Sequence, residues 1–242
     1  LGWPLDKLSA EIAGDVVAGA QAVCRELGVA LAGGHSIDAP EPMFGLAVNG
    51  LVDLAQLKLN SQAKPGDLLF LTKPLGVGLL TTAEKRGLLE AGHHGLARET
   101  MLKPNHIGVE LAKVKGVNAM TDVTGFGLAG HLAEMCSASG VMAQIDFRRL
   151  PRLAEAEAYR RQGAVPGGSL RNREALGKAL PVMDDAHWQW LCDPQTSGGL
   201  LISVDPAWED DVERIGREHS LNLVPFGTLK AAQGDVLIEV IG

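Results

Sequence analysis

VNAMTDVTGFGLAGHLAEMCSASGVMAQID, residues 117–146, shows the fold class most directly. Residues 117–120 read as a short apolar strand, Asp122 sits just past it, and Gly125 and Gly127 give the backbone room to turn. From 128 to 139, Leu128, Leu132, Met135 and Cys136 fall on one face at helical spacing, and residues 141–146 return as a strand. Strand, glycine turn, helix and strand in succession are the repeating unit of an α/β protein.

The same alternation extends outward. Upstream, residues 68–72 read as a strand, 74–78 as a loop, and 77–89 and 96–114 as helical stretches. Downstream, residues 166–173 (PGGS, then two arginines) read as an exposed loop and 184–191 as a short helix. Residues 199–204 and 222–226 read as strands on either side of a helix at 206–219, with proline well placed in its first turn, and 236–241 as a closing strand. At the front, Ile12, Val16, Ala20, Val23 and Leu27 recur at intervals of four or three between Ser9, an N-cap type, and Gly28, a stop. That predicts an amphipathic helix, followed by strands at 29–32 and 43–52. DLAQLKLNSQAKPGD, residues 53–67, is polar and without period. It predicts a junction near Ala63, with domains at 1–62 and 63–242.

With 242 residues and 46% hydrophobic content the chain can fill a core. Its net charge of −7 gives no basic footprint for nucleic acid or an anionic membrane surface, and no apolar run is long enough to cross a bilayer. A small-molecule substrate is therefore expected. Three widely spaced cysteines, Cys24, Cys136 and Cys192, form neither a disulfide framework nor a metal pair, which points to a reducing cytoplasm. Residues 1–14, LGWPLDKLSAEIAG, lack a signal-peptide layout, and residues 1–4 read as a strand end and turn in mid-fold, so a preceding segment is expected.

Three segments carry the chemistry. In residues 31–42, LAGGHSIDAPEP, two glycines after an apolar run leave amides free to meet an anion, with His35 and Ser36 as further donors; the alternative is a plain Gly-Gly turn. In residues 120–135, Asp122 and the glycines before a helix N-terminus suit magnesium and phosphate. The alternative is an Asp bonding its own turn, with glycines chosen for close packing. His131 reads as structural. Residues 191–203, LCDPQTSGGLLIS, read as a cleft-lining loop or an ordinary turn before a strand. Cys192 has no base or cation beside it in sequence to activate a thiol, and Cys24 and Cys136 read as small core residues. There is no Walker-type loop, no H-E-x-x-H and no G-x-S-x-G.

Taken in order, GGHSIDAPEP, FLTKPLGVGLLTTAEK, MTDVTGFGLAGHLAEM, GAVPGG and CDPQTSGGLL resemble the selenophosphate synthetase (selenide, water dikinase) family from end to end. Aminoimidazole ribonucleotide synthetase, thiamine-monophosphate kinase and the hydrogenase maturation enzyme of this fold have analogous turns but not these strings. The resemblance implies a two-domain, mixed-sheet α/β architecture of the aminoimidazole ribonucleotide synthetase type, with an incomplete N-terminal ATP-binding domain that pairs homodimers. It implies conversion of ATP, selenide and water to selenophosphate, AMP and phosphate. Gly34, His35 and Ser36 then look like an ATP-contacting segment, Asp122 like a Mg²⁺ ligand, and residues 124–127 lie beside it. The family's glycine-rich loop, nucleophilic Cys or selenocysteine, catalytic Lys and other metal-binding aspartates have no counterpart in these 242 residues. No catalytic residue is therefore expected here, and little turnover by the chain alone. A relative with another phosphoryl acceptor, or a non-catalytic nucleotide-binding or dimerisation module, are the alternative readings.

Overall fold

The computed structural model describes residues 1–242, which divide into two compact units, Leu1–Asp53 and Leu54–Gly242. The polar segment 54–62 thus belongs with the second unit, where Leu59 O accepts from Met120 N and the Asn60 side chain donates to Glu134.

In the first unit, β1 (Gly2–Trp3) pairs in parallel with β2 (Ile37–Asp38), and α1 (Ala10–Glu26) lies between them in sequence. Ser9 occupies the N-cap position without a side-chain bond, and Gly28 follows the helix at φ +67° as the stop. No residue of α1 is buried, so Cys24 is only half-buried rather than a core residue. The strands expected at 29–32 and 43–52 do not form: apart from a single bridge at Met43 these residues are irregular and exposed. A strand needs a partner for its amides and carbonyls, and within Leu1–Asp53 the only ladder is two residues long.

The second unit is built on a six-stranded sheet, ordered β4-β6-β3-β7-β5-β8. Its strands are β3 (Leu68–Leu71), β4 (Val117–Asp122), β5 (Val141–Asp146), β6 (Leu200–Val204), β7 (Gly227–Ala231) and β8 (Ile238–Ile241). All neighbours are antiparallel except β5 and β8. One face of the sheet is covered by α2 (Val77–Lys85), α3 (Leu96–Leu102), α5 (Gly127–Ser139), α6 (Ala156–Arg161) and α8 (Asp185–Leu191), around Leu69, Leu71 and Leu201. The other face, with Phe70, Ile202 and Val204, is covered by α4 (Gly108–Leu111) and α9 (Glu209–Glu218). Because β6 has neighbours on both edges and helices on both faces, its LLISV sequence is buried throughout. Buried Asp67 accepts from Ser203, Asn118 and the Lys64 amide, locking β3, β6 and β4 together at the end away from Asp122.

The second unit departs from the sequence expectations at three places. The helix expected over 96–114 splits into α3 and α4 around Lys103-Pro104-Asn105, because proline removes an amide and clashes with the preceding turn. The loop expected at 166–173 is instead the start of α7 (Gly167–Leu176), with Pro166 at its N-cap position. The strand expected at 222–226 is irregular, and β7 begins at Gly227. Phe226 there bridges Leu69 and Asp146 through its own amide and carbonyl.

Candidate functional site

Three motif loops meet at one end of this sheet. β3 and β4 point towards that end and continue into KPLGVG and TDVTGFG, while β6 runs the opposite way and begins there, after CDPQTSGG. Leu71 pairs with Leu201 and Asp122 with Leu200, so Lys73 and Asp122 leave the sheet on either side of the start of β6. Two strand spacings put them about 10 Å apart laterally.

Asp122 ends β4 exposed, and its carboxylate accepts no bond from its own turn, so the local-turn reading of this residue does not hold. The loop behind it is fixed from several directions. The Val123 amide donates to Gly199 O (2.8 Å), Gln195 N donates to Thr124 O (3.0 Å), and Asn172 Nδ2 donates to both Gly125 O and Cys192 O. His131, buried in α5, accepts from the Thr124 amide through Nε2 at 3.0 Å. Burial lowers its pKa, partly offset by Asp122 and Glu134, so the ring is held as the neutral acceptor this bond requires. Close packing accounts for Gly127, at φ +70°, where a Cβ would lie 2.8 Å from the Cys192 backbone. It does not account for Gly125, where a Cβ would meet nothing within 4 Å.

The CDPQTSGG loop is the keystone of this end of the sheet rather than an ordinary turn. Asp193 is fully buried against the N-terminus of α2: its Oδ2 accepts from Gly78 N (3.1 Å) and Gln195 Nε2 (2.7 Å), while Oδ1 takes no hydrogen bond. Burial pushes its pKa up to about 7 against the opposing pull of Gln195 and the amides of the first α2 turn. Gln195 Oε1 accepts from Val77 N (3.3 Å), so both side chains cap a helix from a distant part of the chain. Further on, Ser197, at φ +49°, accepts Lys73 Nζ at its carbonyl (2.6 Å) and donates from Oγ to Met101 O (2.7 Å). Asn105 Nδ2 donates to Gly198 O (2.8 Å). Cys192 and Cys136 are buried thiols pushed up to about 12, which agrees with inert packing roles.

The Gly34, His35 and Ser36 segment lies in the first unit, immediately before β2, and is exposed. The Leu1 nitrogen donates to His35 O (2.9 Å), and neither Gly33 nor Gly34 has a positive φ or a neighbour that a Cβ would touch. No group of three or more His, Cys, Asp or Glu side chains is arranged to hold a metal ion, and no helix is long and apolar enough to cross a membrane. Sequence reasoning did not single out Lys73, Asp193, Gln195, Asn105 or Asn172. The signal for Lys73, Asp193 and Gln195 was position inside the motif strings, whereas Asn105 and Asn172 lie outside them; the partners of all five lie between 47 and 124 residues away, apart from the short Asp193–Gln195 and Asn172–Cys192 links.

Comparisons with known proteins bear on this arrangement. Residues 64–239 match the family described as AIR synthase related protein, C-terminal domain. The selenide, water dikinase of Photorhabdus laumondii is 55% identical over 99% of the chain and 70% of its own length. That of Yersinia pseudotuberculosis is 54% identical over the whole chain and again 70% of its own length. Among solved structures, hydrogenase maturation protein HypE in complex with ATP aligns with TM-score 0.69 and 19% identity, covering 97% of this chain and 67% of that one, a likeness of fold.

Proposed function

The chain belongs to the selenide, water dikinase family, and from that premise we propose that its protein makes selenophosphate from ATP, selenide and water, releasing AMP and orthophosphate. The observation that carries this reading is 55% identity across 99% of the chain to a selenide, water dikinase. In this reading the unit Leu1–Asp53 belongs to an N-terminal ATP-binding and dimerisation domain, the unit Leu54–Gly242 forms a C-terminal α/β domain, and the protein works in the cytoplasm as a homodimer.

Asp122 is the one Mg²⁺ ligand this chain offers. Its carboxylate is exposed at a strand end and free of internal bonds, which fits a metal that keeps most of its positions for water and phosphate oxygens. Bound Mg²⁺ would supply charge neutralisation to the triphosphate. Gly125 leaves the backbone beside Asp122 open to phosphate, and His131 holds the Thr124 amide so that this loop stays in place. Gly34, His35 and Ser36 contact ATP; the open space over Gly33 and Gly34 supports close approach of a ligand to their backbone.

One carboxylate positions a magnesium–triphosphate complex poorly, and phosphoryl transfer depends mainly on positioning and electrostatic stabilisation. The 242-residue chain on its own is therefore expected to turn over at least ~100-fold more slowly than the Photorhabdus enzyme. Phosphorus NMR tests both statements, with ATP, Mg²⁺ and selenide under anaerobic reducing conditions. The protein from its complete gene should give AMP and a selenophosphate signal only when selenide is present, and ADP formed regardless of selenide would overturn the assignment. A rate for the 242-residue chain comparable with the Photorhabdus enzyme would overturn the expectation of inactivity.

A further inference from the structure

Lys73 is 6% exposed, and its ammonium makes one full-strength hydrogen bond, to Ser197 O at 2.6 Å, with Ser197 Oγ at 3.5 Å. A buried lysine ordinarily has a carboxylate beside it, because an unneutralised charge in a protein interior is strongly disfavoured. Lys73 forms no ion pair, and the charge that acts on it is a second cation, Lys103. Burial and Lys103 both lower its pKa, in that order. The loops bring Lys103 there. Ser197 Oγ donates to Met101 O and Asn105 Nδ2 donates to Gly198 O, which staples the segment 101–105 across the residues that hold Lys73. Gly199 completes the cradle: a Cβ there would overlap Lys73 N, so β6 starts directly against the lysine backbone.

We propose that Lys73 and Lys103 form a binding site for a tetrahedral phosphate-type oxyanion at the carboxyl end of β3, across the start of β6 from Asp122. The oxyanion supplies the negative charge that the surrounding side chains do not, and it takes N–H donors that Lys73 has left after Ser197. Two sources share this chemistry, orthophosphate and a phosphoryl group of a nucleotide. The choice of phosphate over other anions rests on the proposed dikinase reaction, but the site itself rests on the lysine geometry.

The test uses the 242-residue chain without turnover. Sodium phosphate is titrated at constant ionic strength against chloride, with EDTA present, and binding is followed by calorimetry and by thermal denaturation. Wild type should show saturable phosphate binding and a rise in Tm, and Lys73→Met should weaken binding at least about tenfold. Lys103→Glu reverses, from an exposed position, the charge that acts on Lys73. It should abolish the phosphate response while holding or raising Tm in chloride. If ATP competes with phosphate the site takes a nucleotide phosphoryl group; if it does not, the ligand is free orthophosphate, and either result supports the site. No saturable binding in wild type, or a phosphate response preserved in Lys103→Glu, would overturn the proposal whatever Lys73→Met does to folding. Neither result depends on selenide-dependent turnover, so failure here is distinct from failure of the dikinase assignment.

Discussion

Replacing Asp193 by asparagine should flatten the pH dependence of stability. The Asp193 carboxyl is buried with one oxygen unbonded, and its pKa is about 7, against 3.8 for an ordinary aspartate. In the window between those values the folded chain binds a proton that the unfolded chain has released, so this group's contribution to stability is largest in acid and falls as pH rises. The slope is roughly 1.4 kcal/mol per pH unit, and the loss between pH 5 and pH 8 is about 3 kcal/mol. The substituted amide would keep an oxygen towards Gly78 N and has no proton to lose in this range. Other ionisable groups are common to both proteins and cancel in the difference. Urea denaturation at half-unit steps from pH 5 to 8 should therefore show the wild type losing stability relative to D193N by about 3 kcal/mol, or roughly 6 to 12 °C in Tm. Parallel curves for the two proteins would refute the argument that burial dominates at Asp193.

Asp122→Asn should leave Tm unchanged, because the carboxylate supports nothing inside the fold, and should weaken Mg²⁺-dependent ATP binding by the full protein about tenfold or more in calorimetry. Gly199→Ala and Gly125→Ala should diverge within one loop cluster. The first drives a Cβ into Lys73 N and should cost about 3 kcal/mol in denaturation, and the second meets open space and should change stability by less than about 0.5 kcal/mol. Glu157 behaves in the opposite sense to Asp193. Its hydrogen bonds from Arg160, Trp190 and Arg161 hold its pKa at about 2, so its stabilisation is present above the ordinary value of 4.5 and is lost as pH falls towards 2. Its side chain is one-third exposed, so after solvent screening Glu157→Gln should cost about 1 to 2 kcal/mol at pH 7 and near nothing at pH 2, measured by thermal melts.

Several elements could be read in the sequence because their signals are local. Residues 141–146 were expected as a strand and form β5, and the face of Leu128, Leu132, Met135 and Cys136 is the buried face of α5. Asp184 caps α8 through its own side chain, a bond spanning three residues. Apart from the helix that Pro104 splits, the errors over 29–32, 43–52 and 166–173 share one cause, dependence on distant segments. Residues 29–32 and 43–52 have strand-like composition but no partner strand in their unit, and residues 166–173 have loop-like composition but begin a helix whose Asn172 is tied to Gly125 and Cys192.

The α/β class, the family resemblance carried by glycine and aspartate strings, and the placement of Asp122 at the end of a strand were all legible along the chain. These depend on periodicity, turn chemistry and contiguous motifs, all of which are properties of neighbouring residues. It took the folded chain to place β6 between β4 and β3, and hence Lys73 and Asp122 on either side of its start. The folded chain also decided that Asp193 caps a helix 115 residues away and that Lys73 is buried without an ion pair. Strand order and burial arise when distant segments exclude water together, and no local pattern encodes which segments those will be.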